Sequence, residues 1–258
     1  FFVMIGALMF LGCPLRMILR LGGGDLNALF GIAGFAGGIG FGTIFLKRGY
    51  SLQRTYALSK LESAMMPAIQ VGLLVLVVTA PAFIFFSQKG PGAMHAPWLI
   101  SLAAGLVVGG LSQYSRLCTV GGFRDLFLFK KSVLIFGYIA VLVGVFAVNI
   151  SFCNFHLGFE NQPVSHTDGL WNFLGMALAG FCSVLLGGCP LRQLIMTGEG
   201  NSDSAVTVLG LAAGAAFAHN FGLAASGAGP TLNGQIAVGI GFVVALIIAV
   251  LNTKRSNA

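Results

Sequence analysis

The pentapeptide Gly-Cys-Pro-Leu-Arg occurs twice, as Gly12-Cys13-Pro14-Leu15-Arg16 and as Gly188-Cys189-Pro190-Leu191-Arg192, each time at the end of a long apolar run. These residue types specify a local chemistry. Proline lacks an amide donor and pushes its predecessor toward an extended conformation, so a helix must stop or break at each Cys-Pro bond. A helix restarting at Pro14 or Pro190 offers its positive N-terminus to an anion. Arg16 and Arg192 add a full charge there or pair with acidic neighbours. Thiol, helix N-terminus and guanidinium together favour an anion of soft, polarisable character. A kink requires the Pro but not Cys, Leu and Arg in the same order twice, so Cys13 and Cys189 are read as interior-facing functional thiols.

A third element, Ser115-Arg116-Leu117-Cys118-Thr119-Val120-Gly121-Gly122-Phe123-Arg124-Asp125, also sets a Cys, glycines and an Arg at the end of an apolar run. Arg124 with Asp125 is either a substrate cation with its orienting partner or an interfacial ion pair. Cys182 lies two helical turns before Cys189 on the same face, and core packing outweighs a second station on the path. Cys153 has no motif around it. The resemblance between the two copies runs past the pentapeptide: Gly22 and Gly24 correspond to Gly198 and Gly200, and an acidic, small, Gly-rich turn then opens an apolar helix. If each half carries both elements, the partner of the Cys118 element is expected before Phe1, and the start of the chain reads as truncated.

The elements that must position these residues are set by composition. Of 258 residues 57% are hydrophobic and 8% charged, against about 25% charged in soluble domains. About 20 apolar residues span a bilayer, and eight hydrophobic segments are expected at about 1 to 13, 27 to 46, 65 to 87, 97 to 115, 132 to 150, 170 to 188, 205 to 225 and 234 to 251. Strand alternation is absent, which argues against an outer-membrane barrel. The fold class is therefore an all-α integral membrane protein with broken or re-entrant helices.

With every segment taken as a full span, one side collects Lys47, Arg48, Arg54, Lys60, Arg116, Arg124, Lys130, Lys131, Arg192, Lys254 and Arg255, and the other has Arg16, Arg20 and Lys89. The positive-inside rule makes the first side, with the C-terminus, cytoplasmic. The net charge of +7 thus reads as a topology signal rather than a nucleic-acid footprint. An odd number of crossings separates the pentapeptides, so the copies point in opposite directions. That is the mark of inverted-topology repeats with a site near the midplane, here about 1–90 and about 91–258 of a single transmembrane transporter domain.

The five cysteines make no disulfide framework, and with His95, His156, His166 and His219 they show no zinc-type spacing. No metal and no cofactor is expected. Glycine strings such as Gly37 to Gly42 are explained by close helix packing.

With two GCPLR copies and SRLCTVGGFRD between them, the chain resembles the YeeE/YedE family of sulfur-compound transporters, in particular the YedE-related branch associated with selenium metabolism. The resemblance covers essentially the whole chain. It implies an all-helical bacterial or archaeal inner-membrane protein with a pseudo-two-fold arrangement around a central constriction. It also implies that thiosulfate or a related sulfur or selenium anion passes along cysteine thiols through S–H hydrogen bonds. Carried over by position, Cys13, Cys118 and Cys189 are the relay thiols, with Arg16, Arg124 and Arg192 near the entrances or steadying the loops. A cytoplasmic sulfurtransferase-like partner is implied as well. The leading expectation is a permease without covalent chemistry, not an enzyme. The alternative is a membrane thiol enzyme in which Cys13 or Cys189 carries sulfur or selenium covalently, which requires a thiolate beside a cation or helix N-terminus.

Overall fold

The structure, a computed structural model, describes residues 1–52, 59–79, 88 and 96–253. Secondary structure among them is α-helical apart from isolated bridges. The helices are α1 (Phe2–Phe10), α2 (Pro14–Gly22), α3 (Asn27–Lys47), α4 (Lys60–Thr79), α5 (Trp98–Tyr114), α6 (Thr119–Phe129), α7 (Val133–Ser151), α8 (Gly169–Leu186), α9 (Pro190–Gly198), α10 (Ser202–Asn220) and α11 (Leu232–Leu251). Of the expected features, Arg54, Lys89, His95, Lys254, Arg255 and the end of the 65 to 87 segment lie outside the described residues.

Among the described residues seven stretches are long and apolar enough to cross a membrane, against the eight full spans expected. Helix α1 is about 14 Å long at 1.5 Å per residue, too short to span alone, and reaches spanning length only together with α2, as Phe2–Gly22. The 205 to 225 segment is a helix, α10, but it is not among the seven. Polar residues at both ends of α10, Ser202, Asp203, Ser204 and Thr207 at one and His219 and Asn220 at the other, dilute its apolar run. The Cys118 and Cys189 elements each continue a span past a break, as Trp98–Phe129 and Gly169–Gly198.

Each break has the same construction. A left-handed residue ends the first helix: Leu11 at φ 64° after α1, Arg116 at φ 51° after α5, Gly187 at φ 88° after α8. An extended Cys then starts the next, with φ/ψ of −76°/169° at Cys13, −148°/112° at Cys118 and −76°/162° at Cys189. Pro14 and Pro190 occupy the first helical position, where a missing donor does no harm. The two pentapeptides also match in hydrogen bonding. Gly12 N–H donates to the Ala7 carbonyl at 2.8 Å as Gly188 N–H donates to Ser183 at 3.1 Å, and Met17 N–H donates to Cys13 as Gln193 N–H donates to Cys189.

Helix α8 is the buried axis. Lipid supplies no hydrophobic drive between helices, so close approach through small residues does the work. A Cβ on Gly34 or Gly38 of α3 would collide with the carbonyl of Phe173 or Ala177, and one on Gly6 of α1 would meet Gly175 and Ala179. The residue order at these contacts makes α3 parallel to α8. Gly175 meets Met9 and Gly6, and Gly6 also meets Ala179 one turn further along α8, which makes α1 antiparallel to it. On the other side of α1, Gly214 of α10 faces the Phe1 carbonyl. Helices α5, α7 and α11 turn Leu106, Val107, Val143, Val243 and Ile247 outward, as lipid-facing surfaces do.

Candidate functional site

Three thiols stand at the first-turn ends of short helices. Cys13, Cys118 and Cys189 are the N-cap residues of α2, α6 and α9, where unsatisfied N–H groups and the helix dipole present positive potential. Gly121 N–H donates to the Cys118 sulfur at 3.3 Å. The Cys118 and Cys189 thiols are close neighbours that interact electrostatically, and both are free. Around the Cys189 sulfur stand the N–H groups of Arg192 and Thr119 and the Thr119 hydroxyl. Across from them the Tyr138 hydroxyl of α7 lies close enough to Cys13 and Cys189 to interact electrostatically with both. The structure thus sets Cys118 beside Cys189, with Tyr138 within electrostatic range of both Cys189 and Cys13, on helices from distant parts of the chain.

Cys13 also lines a cavity of about 660 Å³ together with Arg16, Leu19, Asn149, Asn154, His156 and Gln162. This vestibule does not reach Cys189, which is 2% exposed.

The three arginines separate into different roles. Arg16 is exposed at the vestibule and, among the described residues, has no hydrogen-bond or ion-pair partner. Arg124 is paired with its neighbour Asp125 at 2.9 Å, a pair that both alternatives of the sequence reading contain. Arg192 donates to the Gln113 side chain at 2.6 Å, and Gln113 in turn bonds Glu199. Cys182 is buried in α8 beside Phe1, within the packed core. Cys153 is exposed just after α7.

Other residues hold the site without being in its motifs. Arg20, read in the sequence as a loop charge, is buried: it donates to Asp25 at 2.7 Å, to the Phe10 carbonyl at 2.6 Å and to Ser165 at 2.6 Å. His166 Nε2 lies 2.8 Å from the Met9 carbonyl. Both side chains therefore satisfy carbonyls that the break after α1 leaves open. Thr119 was legible as the neighbour of Cys118. The signal for Tyr138 was weaker, a hydroxyl in the middle of an otherwise apolar segment. Among the described residues no cluster of three or more His, Cys, Asp or Glu side chains could hold a metal ion.

A family model described as sulphur transport matches residues 114–254, more than half of the chain and a stretch that includes Cys118, Tyr138 and Cys189. The chain belongs to the sulphur transport family. It is also similar to the thiosulfate transporter TsuA of Escherichia coli (strain K12), at 27% identity over 115 residues, which are 42% of this chain and 30% of that protein. The match therefore spans less than a third of the relative's length. No solved structure matches the chain. Membership of the sulphur transport family agrees with the multi-pass helical architecture.

Proposed function

We propose that this member of the sulphur transport family is an inner-membrane permease for a small sulfur- or selenium-containing anion of thiosulfate type, passed along Cys13, Cys118 and Cys189 without covalent chemistry. The observation that carries this reading is that all three thiols are helix N-caps, with Cys118 beside Cys189 and Tyr138 within electrostatic range of Cys189 and Cys13. S–H and N–H donors replace part of the anion's hydration shell. Their number is small enough to let the ion leave again, as conduction requires. Arg16 attracts the anion into the vestibule, and the thiols receive it where the vestibule ends.

The same reading takes the molecule as two inverted repeats, about 1–90 and about 91–258, with the vestibule on the outer face and the Lys- and Arg-rich ends in the cytoplasm. Three observations support it. The pentapeptides share backbone conformation and hydrogen bonds. Helices α1 and α8 run antiparallel, and Gly38 meets α8 as Gly214 meets α1. Arg16 and Arg20 sit at the same end as the loop before α8, through Ser165 and His156. Selenium cargo and delivery to a cytoplasmic sulfurtransferase-like protein belong to the proposal through the family resemblance.

Uptake of labelled thiosulfate and selenite into cells carrying wild type or single Cys→Ser variants tests it. The expected result is that Cys13→Ser and Cys189→Ser lose most uptake of the transported anion. Normal rates for every anion in both variants would sink the relay. A persulfide or selenosulfide on either thiol after exposure, found by mass spectrometry of the intact protein, would favour the covalent alternative.

A further inference from the structure

The thiols account for recognition of a soft atom, yet the site also holds two buried hydroxyls that make no hydrogen bond of ordinary geometry. Tyr138 is 7% exposed and Thr119 2%. Both hydroxyl oxygens are buried without a hydrogen-bond partner among the described residues. Their positions are not incidental: Thr119 lies against the Cys189 sulfur and the Tyr138 hydroxyl lies near both Cys13 and Cys189. The Tyr138 ring is fixed edge-on against Phe123 at 5.7 Å, and Phe123 packs edge-on against Phe35 at 5.9 Å. The hydroxyl is therefore held in place by packing, without a local bond of its own.

An unpartnered hydroxyl in a buried site is unfavourable unless a ligand completes it. Thiols are weak donors and suit a polarisable sulfur or selenium atom, whereas an O–H donor suits a hard, charged oxygen. Resting on the permease reading above, we propose that Tyr138 and Thr119 form the oxygen-recognising side of the constriction. The cargo then belongs to the class of anions that carry oxygens on the sulfur or selenium centre, and hydrosulfide-type anions are outside it. Helix α7 supplies one hydroxyl and the first turn of α6 the other, so the pair reads the oxygens while Cys13, Cys118 and Cys189 read the sulfur.

The test is equilibrium binding of thiosulfate, sulfite, selenite and hydrosulfide to the purified full chain in detergent, for wild type, Tyr138→Phe and Thr119→Val. Each substitution removes the hydroxyl and keeps the shape of the side chain. The expected result is a dissociation constant raised roughly ten-fold for whichever oxyanions bind wild type, the scale of one lost charge-assisted hydrogen bond, with hydrosulfide binding unchanged. Unchanged oxyanion binding in both variants would overturn the hydroxyl assignment and leave the permease reading standing. Equal weakening of hydrosulfide and oxyanions would overturn it too, because a structural defect does that. Binding of hydrosulfide alone by wild type, or of none of the four, would overturn both.

Discussion

Arg20 Nε donates to Asp25 Oδ2 at 2.7 Å in a pair whose side chains are only 6% and 3% exposed. Nη1 donates to the Phe10 carbonyl and Nη2 to the Ser165 hydroxyl, and Cζ lies 4.0 Å from the centroid of the Phe10 ring. Asp25 Oδ1 accepts from the backbone and side-chain N–H groups of Asn27, each at 2.9 Å. One cation thereby ties the end of α1, the turn between α2 and α3, and the loop before α8. That junction is what holds Cys13 at the vestibule.

Truncating Arg20 strands the Asp25 charge in a buried setting, where breaking a pair costs about 3–5 kcal/mol. Arg20→Met is expected to lower unfolding stability in detergent by about that amount. Adding Asp25→Asn is expected to restore part of it, because the stranded charge is gone. A single variant within about 1 kcal/mol of wild type in chemical denaturation would show that the pair carries little of the fold.

His166 makes a pH-dependent contribution at the same junction. Burial pushes its pKa below the ordinary 6.5, with the Met9 carbonyl and Asp168 opposing more weakly, so the folded chain holds it neutral. The unfolded chain binds the proton more readily, hence stability rises with pH through the window below 6.5 and is lost as pH falls. Thermal midpoints between about pH 5 and pH 8 are expected to fall at the acid end, and less steeply for His166→Gln. Identical slopes in the two proteins would contradict a buried neutral imidazole.

The α3–α8 contact makes a prediction about neighbouring glycines. Gly38→Ala would drive a Cβ into the Ala177 carbonyl, while Gly37→Ala finds its nearest contact at 3.9 Å, on the Phe173 ring. Gly37→Ala is therefore expected to be neutral or to stabilise by up to about 1 kcal/mol through helix propensity, and Gly38→Ala to lower the melting temperature. Equal melting temperatures for the two variants would mean that the helices are farther apart than this.

Thiol labelling follows from exposure and from the vestibule. Cys153 is exposed, Cys13 lines the vestibule with Asn154 and His156, and Cys182 and Cys189 are buried. An impermeant maleimide applied to the outer face is expected to modify Cys153 first, Cys13 more slowly, and neither Cys182 nor Cys189. Thiosulfate is expected to slow the reaction at Cys13 and not at Cys153. Labelling of Cys153 only from the cytoplasmic face would reverse the proposed orientation.

Much of this site was legible because proline leaves a strong local signature. Pro14 and Pro190 fix the breaks, and with them the N-cap positions of Cys13 and Cys189. Hydropathy located the long helices equally well, but it could not separate α1 from α2, since nothing in an apolar run says whether a helix continues across the bilayer after a break. The same signal overrated 205 to 225, where both ends of α10 are polar. Roles of single arginines were not legible, because a cation at a segment end looks the same whether it is free, as Arg16 is, or buried against a carboxylate, as Arg20 is. The closeness of Cys118 and Cys189 depends on tertiary packing between α6 and α8–α9, which no local pattern encodes.

This division among the arginines leads to a prediction about capture of the anion. Arg16 projects an uncompensated charge into the vestibule, whereas Arg124 is neutralised by Asp125 at 2.9 Å and Arg192 is held by Gln113. An unpaired cation at a mouth raises the local concentration of an anion and the rate of its arrival, and salt screens the effect. Arg16→Gln is expected to raise the half-saturation concentration for uptake several-fold at low ionic strength, to leave the maximal rate nearly unchanged, and to flatten the dependence on salt. Arg124→Gln should change uptake less, because it removes a charge already compensated. Equal salt dependence in wild type and Arg16→Gln would show that the anion is not drawn in by this residue. A lowered maximal rate with unchanged half-saturation would instead place Arg16 at the thiols rather than at the mouth.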